Sequence, residues 1–230
     1  METFNWTEEA EKQWDEMAGS WNSRSREMWE TGSRKEIIPF VNQYLPQGAA
    51  VCDLGCGDGS GTEKLARAGY IVTGMDVSEE MLGKAVENLR DCGARFKKGD
   101  LLKTGFPESS FDAVLAINSV EWTSSPFAAL KEMERIIKPG GFACIGILGP
   151  TAAPRKNSYQ RLYGKEITCN TIMPWELEQL AEENSWKKAG EYGVYKKAAM
   201  QLSLGSLPVV LQQALSFMWV FMFQSGKREE

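Results

Sequence analysis

Residues 51–59 read Val-Cys-Asp-Leu-Gly-Cys-Gly-Asp-Gly, and no other stretch restricts the folding of this chain as strongly. An apolar run over 49–52 leads to Asp53, and glycines follow at 55, 57, 59 and 61. This is the pattern of a buried strand that ends on an acid and turns sharply. Glycine reaches the backbone angles of such a turn, and its missing side chain lets a ligand press against the main chain. Open parallel sheets bind ligands at the carboxyl ends of their strands. The turn is therefore where a site is expected.

A dinucleotide-binding turn would need G-x-G-x-x-G. Counting from Gly55, the sixth position is Ser60; counting from Gly57, it is Thr62. Neither fits, and the motif present is D-x-G-x-G-x-G. Downstream, a helix over 62–68 ends at Gly69, and a strand over 70–75 ends at Asp76. That interval suits a strand–helix–strand unit that brings an acid to a ribose. Ser78 can cap the next helix, whose buried face carries Met81, Leu82 and Ala85. A short strand over 94–97 precedes Gly99-Asp100-Leu101. An apolar strand over 111–117 is followed by Asn118-Ser119-Val120-Glu121-Trp122. Ser125-Pro126 opens a further helix, and Lys138-Pro139-Gly140-Gly141 makes a turn before a strand over 142–148.

The glycine turn, the two spaced acids, the tail of the fourth strand and the Pro-Gly-Gly turn occur in one order over 49–148. Together they resemble the class I S-adenosylmethionine-dependent methyltransferases of the small-molecule type. The resemblance covers that core well and the first 45 and last 80 residues loosely. It implies an α/β fold, a Rossmann-like doubly wound sheet, mostly parallel with an antiparallel last strand. It also implies S-adenosylmethionine as cofactor and S-adenosylhomocysteine as product. By the same resemblance, Asp53, Gly55 and Gly57 meet the methionine moiety, and Asp76 the ribose. Val77 and Met81 lie near the adenine, Asp100 and Leu101 at its edge, and Asn118 and Ser119 by the transferred methyl. The acid at 76 can accept from both ribose hydroxyls.

The chain has no histidine, which removes every imidazole base, Ser/His/Asp triads and most zinc sites. No metal is expected. Displacement of a methyl group from a sulfonium suits such a chain, since holding the reacting atoms in line does most of the work. If a base is used, Glu121 is the candidate, because it follows the fourth strand. The formal net charge of −5 and a pI near 5.1 argue against nucleic acid as substrate. The absence of Asn-Pro-Pro-Tyr after that strand argues the same way for DNA bases. Five cysteines without a C-x-x-C pair fit a reducing cytoplasm without disulfides.

The flanks are expected to carry acceptor choice. Residues 1–46 read as an N-terminal helical lid and 47–230 as the methyltransferase domain. Over 7–30 a helix or broken pair places Trp14, Met17, Ala18 and Trp21 on one face, with Gly19 as a weak point. Ser33 and Glu36 fit a capping box for a helix that Pro39 kinks and Pro46 stops. The polar stretch 1–11 does not read as a signal peptide. Residues 149–173 form a substrate-side insertion, where Tyr159 and Tyr163 stand among basic residues. With Trp14, Trp21 and Trp122 they are the candidate acceptor contacts. The apolar stretch 209–223 is interrupted by Gln212 and Gln213 and falls short of a membrane span. Its nine residues 215–223 fit a strand buried on both faces.

The expected enzyme is thus a methyltransferase acting on a small molecule, whether quinone, phenol, amine or another. Two alternatives stand beside it. One is a protein that keeps the cofactor pocket and methylates nothing. The other is a nicotinamide-dependent oxidoreductase, against which the glycine spacing speaks.

Overall fold

The computed structural model describes residues 4–89 and 92–227, so the first three residues of the polar stretch 1–11 lie outside it. Its elements in order begin with α1 (Trp6–Glu30), α2 (Ile37–Val41), β1 (Ala50–Leu54) and α3 (Ser60–Arg67). β2 (Ile71–Asp76), α4 (Glu79–Asn88), β3 (Arg95–Lys98) and β4 (Phe111–Ile117) follow. The second half holds α5 (Pro126–Ile136), β5 (Ile137–Leu148), α6 (Pro174–Glu183), β6 (Lys187–Val194), α7 (Val209–Leu215) and β7 (Met218–Gln224).

One seven-stranded sheet runs in the order β3-β2-β1-β4-β5-β7-β6. β7 alone is antiparallel, inserted between β5 and β6. The chain winds outward from β1 to β3 and returns to β4 on the other side of β1. The switch in direction therefore falls between β1 and β4, where such sheets open a crevice.

Alternation along each strand divides the core between the two faces of the sheet. Val114, Ala116, Phe221 and Phe223 pack with Leu130 and Met133 of α5 and Leu177 of α6. Ala113, Leu115, Val220 and Met222 pack with Ile37 and Val41 of α2 and Leu65 of α3. Both faces are covered, which is why the inner strands read as unbroken apolar runs.

Several boundaries differ from the sequence reading, each for a local reason. Residues 6–30 form one continuous helix of 25 residues, and Gly19 does not break it. The position is exposed, and nothing lies within 4 Å of where its Cβ would be. The capping box at Ser33 does not form. α2 starts at Ile37 behind Glu36, with no side-chain cap. Pro39 sits in its first turn, where a missing N–H leaves no bond unmade. Lys138-Pro139-Gly140-Gly141 lies inside β5, whose register against β4 shifts between Phe111 and Ala113. The insertion after β5 contains a 3-10 helix (Ala153–Tyr163). The last strand begins at Met218, because Leu215 still belongs to α7.

Candidate active site

The first strands end together, and the side chains just past those ends face one cavity. It is lined by Asp53, Gly55, Gly57 and Asp58 after β1, Asp76, Val77 and Met81 around the start of α4, and Asp100 and Leu101 after β3. Ile117, Asn118, Ser119 and Trp122 close the β4 side, and Trp6, Thr7, Trp14, Trp21, Ser25 and Trp29 of α1 form the roof.

Gly55 sits at the switch point with φ +75°, and a Cβ there would lie 2.4 Å from Ser119 Cβ. Only glycine serves at this approach of β1 to β4. Gly61, in the first turn of α3, serves α1 instead: a Cβ would stand 2.5 Å from the Trp29 ring. The glycine-rich stretch thus makes room for the roof as well as for a ligand.

Asp53 is buried, and its Oδ2 accepts a hydrogen bond from Thr62 Oγ1 at 2.7 Å. Burial lifts its pKa to about 6, against the pull of Thr62 and the Arg34 charge. Asp76 accepts from Gly57 N at 2.8 Å through Oδ2 and from Ser78 N at 2.9 Å through Oδ1. Burial raises this carboxyl too, and the backbone donors Ser78, Gly57 and Val77 counter it. Asp100 accepts from Leu102 N at 2.8 Å and, through Oδ2, from Thr7 Oγ1 of α1 at 2.8 Å. Asn118 holds a left-handed backbone angle, φ 54°, and its N–H donates to Gly146 O at 2.8 Å. Asparagine tolerates that conformation better than most residues.

Sequence reasoning missed three contributors. Arg34, read there as the middle of a capping box, is buried beneath α1. Its guanidinium lies 5.0 Å from the Trp21 ring centroid and 5.6 Å from that of Trp29. Its Nη2 donates to Asn118 Oδ1 at 3.3 Å. Burial lowers its pKa to about 10, while Asp53, Asp58 and Glu121 hold it up. Asp58 is the second. It accepts from Ser25 Oγ at 2.9 Å, and its Oδ2 is buried without a partner. Thr7 is the third, across 93 residues from Asp100. No local pattern marks any of them, because each depends on the path of α1 over the sheet.

Trp14 and Trp21 meet edge to face at 5.5 Å, and Trp14 and Trp122 at 5.2 Å, so the three tryptophans form one wall. Glu121 stands elsewhere. It is buried but outside the cavity lining, and its Oε1 accepts from Leu148 N at 2.6 Å and Asn118 Nδ2 at 3.4 Å. It ties the tail of β4 to the end of β5, which replaces the expectation of a base. Tyr159 and Tyr163 also lie outside the cavity. They are 53% and 70% exposed and pair with each other at 5.8 Å.

The lining suits a nucleoside carrying a cation. Four aspartates face one arginine, and a cation over tryptophan is favoured by about 0.5–2 kcal/mol. Two buried oxygens of the lining, Asp58 Oδ2 and Ser119 Oγ, lack any partner, as atoms awaiting a polar ligand would.

The sheet order, the switch-point crevice and the acids at its rim define a class I methyltransferase fold. Residues 52–145 match the family described as a methyltransferase domain. This core, 52–145, is thus similar to methyltransferase domains in sequence, and the whole chain is similar to S-adenosylmethionine-dependent methyltransferases in fold. A malonyl-[acyl-carrier protein] O-methyltransferase of Erwinia pyrifoliae is 40% identical over 92 residues, 40% of this chain and 34% of that protein. The chain spans about a third of the length of the curated relatives it matches first. Among solved structures, a methyltransferase in complex with the Haloferax volcanii Trm112 activator shares the fold. Its TM-score is 0.71 at 19% identity, over 93% of this chain and 98% of that one. An S-adenosylmethionine-dependent methyltransferase from Methanosarcina mazei gives 0.65 at 20% identity, over 83% and 98%. Among the described residues no helix is long and apolar enough to cross a membrane.

Proposed function

We propose that this protein binds S-adenosylmethionine in the cavity under α1 and transfers its methyl group to a small-molecule acceptor. The observation that carries the reading is the meeting of Asp53, Asp76, Asp100 and Asn118 in one cavity. Bound there, the cofactor would supply a methyl group on a sulfonium that leaves as a neutral thioether.

Asp76 would take the ribose, its carboxylate held ready by Gly57 N–H and Ser78 N–H. Asp100 and Leu101 would meet the adenine edge, with Val77 and Met81 beside the ring. Asp53, Gly55 and Gly57 would receive the methionine moiety. Arg34 adds the one positive charge of the lining, which a carboxylate there would meet. Asn118 and Ser119 would lie beside the methyl group, with Trp14, Trp21 and Trp122 facing the acceptor. No base is assigned: aligning nucleophile, methyl and sulfur can supply most of the rate.

Residues 1–46 would act as a lid. Thr7, Asp15 and Ser25 of α1 bond Asp100, Ser78 and Asp58, which lie at or beside the proposed cofactor contacts. Entry then requires α1 to lift, and closure would exclude water from the reaction.

Calorimetry with S-adenosylmethionine, S-adenosylhomocysteine and NAD tests the reading. Micromolar binding of the first two and none of NAD is the expected result. NAD binding alone would overturn it. Transfer of a labelled methyl group to quinone, phenol and amine panels then separates an enzyme from a protein that only binds the cofactor.

A further inference from the structure

β5 ends at Leu148, β7 begins at Met218, and β6 ends at Val194. Leu148 pairs with Met218, and Met218 with Val194, so the three positions form one row at the carboxyl end of the sheet. Two long segments leave this row, 149–173 and 195–217. Their roots are bound together. Gly149 N donates to Phe217 O at 2.8 Å, Thr151 Oγ1 donates to Ser216 O at 2.7 Å, and Lys196 Nζ donates to Thr151 O.

Both segments expose apolar side chains. Tyr159, Leu162 and Tyr163 of the 3-10 helix are 53–70% exposed. Met200, Leu202, Val209, Val210 and Leu211 are 45–66% exposed in the second segment. Among the described residues, these eight outnumber the five large apolar side chains exposed everywhere else. A concentration of this kind marks an interaction surface.

The charge pattern selects the partner. The whole chain carries a net charge of −5, yet 151–165 and 195–217 contain no Asp or Glu. Lys156, Arg161, Lys165, Lys196 and Lys197 stand exposed among the apolar residues. Packing this surface on a second copy of itself would set five cations against five, which opposes a symmetric dimer. Exposed Leu, Val and Tyr interleaved with Lys and Arg are what an anionic lipid surface attracts.

We propose that the paired segments 151–165 and 195–217 form a peripheral docking surface for anionic membranes. The surface lies at the same end of the sheet as the candidate cofactor cavity, so the docked protein turns its ligand side toward the lipid. The inference goes beyond methyl transfer and stands whether or not the cavity binds S-adenosylmethionine.

Vesicle co-sedimentation of the full chain tests it, with phosphatidylcholine alone and with about one third phosphatidylglycerol. Binding to the anionic vesicles at least tenfold tighter, and weakened between 0.05 and about 0.5 M salt, is expected. The triple variant Lys156→Ala, Lys165→Ala, Lys197→Ala should lose about a hundredfold, at roughly a factor of five for each cation near the surface. The double variant Leu162→Ser, Val210→Ser should lose about tenfold, and both should melt within a few degrees of the parent. No binding to anionic vesicles would overturn the proposal. So would binding that both variants retain, since the contact would then lie elsewhere. Concentration-dependent self-association in sedimentation velocity, abolished by the double variant, would assign the surface to a second copy instead.

Discussion

The two halves of the sheet present opposite chemistries at the same end. Past β1, β2 and β3 stand Asp58, Asp76 and Asp100, drawn into a cavity and roofed by tryptophans. Past β5 and β6 run the stretches 151–165 and 195–217, which hold no acid and expose basic and apolar side chains. The first half is an enclosed cavity. Its acids are buried or half-buried, and each accepts from a named donor. The second half leaves eight large apolar side chains exposed. One scaffold therefore carries an enclosed, acid-lined cavity and an open, basic and apolar surface.

The sharpest way to break that contrast is pH. Asp53 keeps its proton up to about pH 6 in the folded chain, against an ordinary value of 3.8. A raised carboxyl contributes stability that is fully present below the ordinary value and lost as pH rises through about 6. The gap is worth about 3 kcal/mol. Asp53→Asn carries no such titration. Denaturant melts from pH 4 to 7 should show the variant gaining on the parent by up to that amount, and a constant difference would refute the buried charge.

Next in size is Asp76→Asn, which keeps the shape but replaces one acceptor by a donor facing two backbone N–H groups. S-adenosylmethionine affinity should fall about a hundredfold, roughly 2.7 kcal/mol, in calorimetry. Gly61→Ala pushes against Trp29 at 2.5 Å and should cost about 2 kcal/mol in chemical denaturation, through the seat of α1. Arg34→Lys removes the planar group that covers Trp21 and Trp29 and should cost about 1 kcal/mol. The other half supplies the small end of the scale. Leu202→Ser should change folding stability by less than about 0.5 kcal/mol, because its side chain is 51% exposed.

This contrast also explains what could be read in advance. β4 was legible to the residue, 111–117, because an apolar run between a polar loop and a polar tail has one solution. That Asp53, Gly55, Gly57 and Asp76 meet at one cavity was legible because a strand–helix–strand unit fixes their spacing along the chain. Ser78 and Ser125 were legible as caps, since a cap acts within three residues. Arg34 was not, because its meaning comes from Asn118, 84 positions away. Glu121 was misjudged for a similar reason. Its partner Leu148 lies 27 residues on, and only the pairing of β4 with β5 brings them together. Tyr159 and Tyr163 looked like pocket residues by composition, yet composition does not say which way a segment faces.

The place of β7 bears on how the chain is made. β5 and β6 never pair with each other; each pairs with β7, which follows both in sequence. A ribosome that has released residues up to 217 has therefore produced a sheet with an open edge at β5 and a β6 without a neighbour. Phe221, Phe223, Val220 and Met222 are then still missing from the two faces of the core. At about 5–20 residues per second, the seven positions of β7, 218–224, are added in roughly a second. Until they do, the nascent molecule carries an unpaired apolar edge of the kind that invites wrong partners. A chain cut short before Met218 keeps that edge for good.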